Sequence, residues 1–314
     1  MKPKPRLRID FCSFWDGFDK TNNWFWHTLR QRFDLELSDQ PEFLFYSDGA
    51  SQAWRMHVCT RIYFSVERHL PNWSHCDYAL TCHELGDPRH LRLPYFVVES
   101  DPADLIKDDG WAERHLAAQR DFCGVLISNP RARRGQRRVE FVTRLMARTH
   151  VHSGGRWNNN VGGPIRGGFP AKRAWLRQFR FNIAFENESL PGYTTEKITD
   201  AMLAGCLPVY WGNPDVGRDF NRASFLDLSD FPSDDALIEH LLALQHDNSR
   251  LAALLQEPWF PGNQPSECYR ASRFLDFIEG LVAQRGTPVA QRRSWFHPGR
   301  WMLVKRNRPP AAPW

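Results

Sequence analysis

Residues 181–212 read FNIAFENESLPGYTTEKITDAMLAGCLPVYWG, and they carry the clearest structural pattern in the chain. Two short apolar runs, at 181–185 and 207–211, flank a polar loop and one amphipathic segment. Apolar runs of this length on either side of a helical pattern are typical of parallel strands joined by a crossover helix. The sequence therefore predicts a strand–loop–helix–strand unit of the α/β class.

The polar loop of this unit carries charged side chains at the end of a strand, where open α/β sheets bind ligands. Thr194 and Thr195 can cap the predicted helix, and Lys197 falls in its first turn. A lysine is unfavourable at the positive end of the helix dipole, so its presence suggests an anionic ligand, most simply a phosphate. A capped crossover helix with a solvated lysine fits the spacing equally well.

The longer stretch 185–221, FENESLPGYTTEKITDAMLAGCLPVYWGNPDVGRDFN, resembles the signature of the α-1,3/4-fucosyltransferases, glycosyltransferase family 10. In that signature FEN, GY.TEK, P.YWG.P and.DFN follow in this order, and each is present here without a gap. The resemblance implies GT-B architecture, with two Rossmann-like domains facing a cleft. It also implies an inverting enzyme that transfers L-fucose from GDP-fucose to a hydroxyl of a glycan acceptor, in an α-1,3-type linkage.

The resemblance implies a donor site in the second half of the chain. Glu196 is placed on hydroxyls of the donor sugar or ribose, Asn187 and Tyr193 line the same pocket, and Glu186 orients the loop. The turn SNP at 128–130, with VEFVTRL after it, resembles a family segment whose arginine clamps the donor diphosphate. Arg138 matches that arginine.

Lys197 is the second phosphate partner that the resemblance implies, and Arg137 is the alternative to Arg138 as the clamp. Arginine suits a diphosphate because its planar fork donates paired hydrogen bonds and keeps its charge. Arg156 and the asparagines 158–160 are predicted either to touch guanine or phosphate or to organise their own loop.

The predicted proton acceptor lies in 61–96, RIYFSVERHLPNWSHCDYALTCHELGDPRHLRLPYF, which resembles the N-terminal segment of bacterial members of the family. Glu67 occupies the place of the general base that takes the proton of the acceptor hydroxyl. The bacterial pattern reads Gly-Glu-Asn-Glu-Ser-Pro-Asn, whereas residues 66–72 here read VERHLPN, so that the second carboxylate is His69. The sequence leaves Glu67 and His69 open as the base.

Apolar runs predict strands at 7–14, 43–46, 61–65 and 77–81, and amphipathic patterns predict helices at 22–33, 234–245, 248–256 and about 267–283, the last with Phe274, Phe277, Ile278 and Leu281 on one face. Residues 101–120 are polar, and we expect them to cross between domains. Strands alternating with helices over the whole chain predict parallel sheets in two α/β domains. We expect an acceptor-binding domain at 1–115, a GDP-sugar-binding domain at 116–285 and a basic aromatic tail at 286–314. The tail interleaves cations with Trp295, Phe296 and Trp301. Such a segment either packs onto the protein or contacts an anionic membrane surface.

Composition narrows the class of protein. The 314 residues carry a net charge of only +5, so nucleic-acid binding is the least favoured function. The chain shows neither an apolar run of about 20 residues nor a signal-peptide core, so we expect a bacterial-type soluble enzyme in the cytoplasm, peripheral at most to the inner membrane. Seven widely spaced cysteines indicate a reducing compartment.

No Asp-x-Asp motif stands at a clear strand end, so we expect no metal site and no obligatory cofactor. The acceptor stays open, although lipopolysaccharide would suit a protein held at the inner membrane. Two alternatives remain: a transferase for a different GDP-sugar, and a catalytically inactive protein that binds a nucleotide sugar or glycan.

Overall fold

The computed structural model describes residues 3–130 and 135–284, so the predicted tail at 286–314 lies outside the described residues. Within this part the chain forms two compact units, residues 3–98 with 270–284, and residues 99–269. The predicted boundary after residue 115 differs from this division. The segment 101–120, which the sequence suggested as a polar crossing, contains a helix whose Ala112 is buried in the core of the second unit.

Among the described residues, the first unit contains a six-stranded sheet in which all neighbours are parallel. Its strands are β1 (Arg6–Cys12), β2 (Asp34–Leu37), β3 (Phe43–Tyr46), β4 (Thr60–Phe64), β5 (Tyr78–Thr81) and β6 (His90–Arg92), in the spatial order β2-β1-β3-β4-β5-β6. Among the described residues, its helices are α1 (Trp24–Leu29), α2 (Tyr95–Glu99) and the last helix of the described chain, α9 (Ala271–Ala283). The central strands are almost entirely buried, as expected where both faces of a parallel sheet are covered.

The strand predicted at 43–46 is confirmed, and β1, β4 and β5 lie within two residues of their predicted bounds. The helix predicted at 22–33 is shorter, because Asn23 caps it by accepting a hydrogen bond from the amide of Trp26. The sequence missed β2 and β6, which are the edge strands. Both are short and partly polar, so they lack the apolar run that marks a buried strand.

Among the described residues, the second unit contains a five-stranded parallel sheet in the order β11-β10-β9-β7-β8. Its strands are β7 (Asp121–Val125), β8 (His152–Ser153), β9 (Phe179–Phe185), β10 (Leu207–Trp211) and β11 (Leu226–Asp227). Its helices are α3 (Trp111–Ala117), α4 (Gln136–Met146), α5 (Gly168–Leu176), α6 (Glu196–Ala204), α7 (Asp234–Leu244) and α8 (Asn248–Gln256).

The crossover predicted from 181–212 is confirmed as β9, α6 and β10. The two strands pair in parallel, with Leu207 opposite Phe181 and Trp211 opposite Phe185. Helix α6 ends at Gly205, whose φ of 72° is the left-handed conformation that glycine adopts readily at a helix end. The loop between β9 and α6 therefore lies at the carboxyl edge of the sheet.

The last helix, α9 (Ala271–Ala283), belongs to the first unit and not, as predicted, to the second. The predicted apolar face is confirmed for Phe274, Ile278 and Leu281, which are buried. Phe274 packs against Trp24 of α1, with ring centroids 5.0 Å apart. Sequence order alone could not show this return, because the face of α9 does not specify its partner.

In residues 3–130 and 135–284, no helix is long and apolar enough to cross a membrane. All seven cysteines lie in these ranges, and none forms a disulfide.

Candidate active site

Glu186 follows β9 directly and is the fully buried centre of the site, with 0% of its side chain exposed. Its carboxylate accepts hydrogen bonds from the Thr195 amide and the Thr195 hydroxyl, both at 2.7 Å. Thr195 stands at the N-cap of α6, as the sequence predicted, but its side chain makes no cap hydrogen bond. Glu186 satisfies the helix N-terminus instead, which is where a negative charge is stabilised.

Lys197 is paired inside the protein and is not the solvated lysine of the alternative interpretation. Its Nζ lies 3.2 Å from a Glu186 carboxylate oxygen and donates to the Thr195 hydroxyl at 2.8 Å, and 23% of its side chain is exposed. Burial opposes the charge, but the Glu186 and Glu196 carboxylates hold the pKa of Lys197 above its ordinary value. Lys197 therefore stays a cation at neutral pH.

Arg138, in α4, is buried and joins two motifs that are distant in sequence. Its guanidinium donates to the Asn129 carbonyl at 2.9 Å and to the Asn187 side-chain oxygen. The first partner belongs to the SNP turn and the second to FEN, so the structure brings both motifs together. Asn187 in turn lies 3.5 Å from the hydroxyl of the buried Tyr193.

Arg138, Lys197 and Glu196 line one cavity of about 60 Å³. These three side chains, two cations and one carboxylate, were predicted from the motifs and line the same space at the carboxyl edge of the sheet. Such a set can hold phosphate oxygens through the cations and sugar hydroxyls through the carboxylate. Of the predicted donor residues, these three surround the cavity, while Asn187 and Tyr193 support it through Arg138.

The sequence missed Asp200 and Lys172, which also line this cavity. Burial and the nearby Glu196 raise the pKa of Asp200 to about 6, although Arg173 donates to its carboxylate at 2.6 Å. Glu196 and Asp200 are four residues apart on α6, and that spacing could have identified them as neighbours on one face. Lys172 and Arg173 lie in α5, a helix that the sequence did not predict.

Asn213 ties the loop before α6 to the loop after β10. Its side-chain oxygen accepts from the Gly192 amide at 2.7 Å, and its side-chain nitrogen donates to the Thr194 hydroxyl at 3.0 Å. Gly212 precedes it for a steric reason, since a Cβ there would lie 2.5 Å from Cγ of Glu186. This loop pair therefore packs around the buried carboxylate.

Other predicted donor residues lie elsewhere or serve the fold. Arg137, the alternative clamp, forms two hydrogen bonds with Asp234 at the start of α7. Asn159 accepts from the amides of residues 161 and 163, and Asn160 accepts from that of residue 153, so both organise their own loop. Arg156 lies after β8 and before these asparagines in the sequence, and its side chain is exposed.

In the first unit, Glu67 and His69 share the loop that follows β4, at the carboxyl edge of that sheet. The Glu67 amide donates to the Ser65 hydroxyl at 3.2 Å, and Nδ1 of His69 lies 3.1 Å from the Asp48 carboxylate. Glu67 thus follows a buried strand, as the sequence predicted, and its role as the base stays a prediction. Within the described residues, no three His, Cys, Asp or Glu side chains form a metal-ligand group.

Comparison with known proteins identifies the family. Residues 9–99 match the family model of the α-(1,3)-fucosyltransferase FucT N-terminal domain. Residues 117–256 match that of glycosyltransferase family 10 (fucosyltransferase), C-terminal part. The chain belongs to glycosyltransferase family 10. The resemblance stated from the signature is therefore confirmed.

Two curated relatives support this assignment at the level of sequence. The α-(1,3)-fucosyltransferase FucT of Helicobacter pylori is 29% identical over 82% of this chain and 61% of its own length. A 4-galactosyl-N-acetylglucosaminide 3-α-L-fucosyltransferase of Pongo pygmaeus is 27% identical over 62% of this chain and 55% of its own length. The chain thus spans about three fifths of the length of these relatives.

Solved structures agree on the fold. A crystal structure of an α1,3-fucosyltransferase with GDP-fucose has a TM-score of 0.71 and 25% identity, covering 90% of this chain and 91% of its own. A second crystal structure of an α1,3-fucosyltransferase has a TM-score of 0.73 at 24% identity, with the same coverage of both chains. The predicted α/β class with GT-B architecture is confirmed.

Proposed function

We propose that this family 10 glycosyltransferase transfers L-fucose from GDP-fucose to a hydroxyl of a glycan acceptor, with inversion at the sugar carbon. The observation that carries the proposal is the single cavity lined by Arg138, Lys197 and Glu196 within the fucosyltransferase signature. One of the similar crystal structures is that of an α1,3-fucosyltransferase with GDP-fucose, which supports the choice of donor.

In the proposed donor site, Arg138 and Lys197 contact the diphosphate. Breaking the bond between the fucose carbon and the phosphate oxygen leaves negative charge on GDP, and fixed cations stabilise that charge as it develops. Glu196 accepts hydrogen bonds from hydroxyls of the donor. Because two side-chain cations serve the diphosphate, we propose that the transfer requires no divalent metal.

Glu186 prepares this site without touching the donor. It holds Lys197 charged in a largely buried place, and it fixes the start of α6 through Thr195. When a diphosphate enters, Lys197 has a carboxylate on one side and a phosphate on the other. The pair therefore presents the Nζ hydrogens in a fixed direction rather than on a free side chain.

Glu67 is the proposed general base. The acceptor oxygen forms its bond to the fucose carbon while the bond to GDP breaks, and the hydroxyl proton passes to the Glu67 carboxylate. Attack on the face opposite GDP gives the inverted product. This assignment rests on the place of Glu67 in the family pattern and at the end of β4.

The direct test combines the purified protein, GDP-fucose and a glycan panel, with GDP release and product mass as readouts. The panel includes a 4-galactosyl-N-acetylglucosaminide, the acceptor class in the name of one relative. We expect a product heavier by one fucose residue. GDP-fucose binding without transfer to any glycan would instead favour a binding protein, and exclusive use of another GDP-sugar would replace the donor.

We further propose that the acceptor is membrane-borne, such as lipopolysaccharide, and that residues 286–314 make peripheral contact with anionic lipid. Only the basic and aromatic composition of this segment supports the proposal. Deleting residues 286–314 should reduce co-sedimentation with anionic vesicles at low salt and leave GDP affinity intact. Equal sedimentation of both proteins would contradict it.

A further inference from the structure

Asp48 is the centre of a hydrogen-bond network beside Glu67, and no sequence motif pointed to it. It follows β3 in the loop at the carboxyl edge of the first unit's sheet, and 21% of its side chain is exposed. Its carboxylate accepts from the Tyr63 hydroxyl, from the Ser65 hydroxyl at 2.5 Å and from Nδ1 of His69 at 3.1 Å.

This network sets the chemistry of the His69 ring. An ionised carboxylate only accepts hydrogen bonds, so the nitrogen facing Asp48 carries the proton. In the neutral imidazole, Nε2 is then an acceptor, because one ring nitrogen donates when the other accepts. The His69 side chain is 54% exposed, which leaves room for a ligand at the ring.

The same carboxylate also positions the proposed base. The Ser65 hydroxyl donates a hydrogen bond to Asp48. The same hydroxyl oxygen accepts a hydrogen bond from the Glu67 amide at 3.2 Å. Asp48 thus holds the loop on both sides of Glu67, through Ser65 before it and His69 after it. Leu70 follows His69 in the same loop, and 63% of its surface is exposed.

We propose that His69 is an acceptor-binding residue: its Nε2 accepts a hydrogen bond from a second hydroxyl of a neutral acceptor sugar, and Asp48 is its positioning residue. This inference rests on the proposed function and adds an acceptor subsite to it. A hydroxyl that is hydrogen-bonded to His69 fixes the sugar on the loop that carries Glu67. The exposed Leu70 side chain can then cover an apolar patch of the sugar ring. Directed hydrogen bonds together with a small apolar contact favour an uncharged saccharide.

Steady-state kinetics separates this role from that of a base. We expect His69→Ala to raise the acceptor KM about tenfold, the effect of one lost hydrogen bond at its upper range, with kcat and the GDP-fucose KM within about twofold of wild type. Asp48→Asn should raise the acceptor KM by a smaller factor. His27→Ala, an exposed histidine of the same unit, is the matched control and should change neither constant.

A fall in kcat as large as that of Glu67→Gln, with the acceptor KM unchanged, would overturn the binding role and make His69 the base. Unchanged kinetics in His69→Ala would overturn the inference altogether. Because the His69 side chain is exposed, His69→Ala should fold normally. It therefore tests the acceptor subsite even if Asp48→Asn folds poorly. Melting temperatures identify such a case.

Nitrogen NMR of the His69 ring gives a readout that needs no turnover. We expect the Nδ1-protonated form in the wild type, a mixture of both forms in Asp48→Asn, and a shift of Nε2 on adding a 4-galactosyl-N-acetylglucosaminide. No shift at saturating glycan, with GDP-fucose binding intact, would overturn the subsite and leave the donor assignment standing. Loss of GDP-fucose binding itself would contradict the proposed function instead.

Discussion

The carboxyl edges of the two sheets hold their charged groups in different ways. In the second unit, Glu186 is fully buried and Lys197 is 23% exposed, and they satisfy each other before any ligand arrives. In the first unit, His69 is 54% exposed, and the loop with Glu67 is organised around a partly exposed Asp48. We infer that substitutions at the first edge act mainly on catalysis, whereas those at the second also act on stability.

The largest expected effect is on the transfer rate, from a substitution at the carboxyl edge of the first unit's sheet. Glu67→Gln should lower kcat by about 10²–10⁴-fold, because a positioned general base contributes about that much to proton transfer. GDP-fucose affinity and the melting temperature should stay at wild-type values. Transfer assays with saturating substrates measure the loss, and Asp39→Asn, an exposed carboxylate of the same unit, is the control. A kcat above a tenth of wild type would remove Glu67 from the mechanism.

A substitution at the carboxyl edge of the second unit's sheet, where Glu186 is buried, should lower the stability of the protein. Glu186→Ala should lower the free energy of unfolding by about 3–5 kcal/mol, because it leaves Lys197 largely buried without its counter-ion. Glu239→Ala is the control, since its pair with Arg148 is exposed and contributes at most about 1 kcal/mol. Urea unfolding followed by tryptophan fluorescence compares them. Similar losses in both variants would contradict the difference between the two edges.

A comparison of two neighbouring arginines, Arg137 and Arg138, tests which of them binds the donor diphosphate. Arg138→Lys should weaken GDP binding about tenfold, because a lysine cannot reproduce the planar fork that we propose binds the diphosphate. Arg137→Lys should leave GDP affinity within about twofold, since Arg137 is bonded to Asp234. Calorimetric titration of both variants decides between them. The opposite order would make Arg137 the clamp.

The effect that is smallest when counted per pH unit concerns a second buried lysine of the same unit. Lys107 donates to the carbonyls of Leu255 and Glu257 and lies over the rings of Trp111 and Trp259, with no carboxylate bonded to its Nζ among these contacts. Burial lowers its pKa to about 7. The unfolded chain therefore binds more protons above that pH than the folded chain does.

The free energy of unfolding should accordingly rise with pH between about 7 and 10, by at most about 1.4 kcal/mol per pH unit. Below pH 7 Lys107 is protonated in both states, so its contribution should change little with pH. The carbonyls and indole faces favour the ammonium, so they oppose the effect of burial on the pKa and narrow the pH range of this rise. The difference between wild type and Lys107→Met, measured by urea unfolding at several pH values, isolates the contribution. A difference that does not change with pH would show that Lys107 stays fully charged in the fold.

Sequence reasoning succeeded where a pattern is local. Strand β10 and helix α8 appear at their predicted bounds, and the apolar run at 181–185 lies within β9. Arg138, Lys197 and Glu196 were predicted from motifs, and the structure shows them around one cavity. These features depend on residues close together in the chain or on a motif whose order is preserved.

The features that were missed depend on distant partners. The packing of α9 onto α1 requires Phe274 to meet Trp24, and no property of either segment specifies the other. Glu186 replaces the threonine cap because it is buried against the start of α6, which its place in the motif does not reveal. Asp48 became visible only when the ends of β3 and β4 were placed side by side.

The central claim is a GDP-fucose site in which Arg138 and Lys197 hold the diphosphate without a metal. It is tested most directly by calorimetric titration of GDP and GDP-fucose in the presence of chelator, for wild type and Lys197→Ala. The account predicts micromolar binding of both ligands to the wild type and a loss of about tenfold or more in the variant, provided that the variant is folded. No binding in chelator that returns on adding a divalent cation would contradict metal independence, and no binding under either condition would contradict the donor site itself.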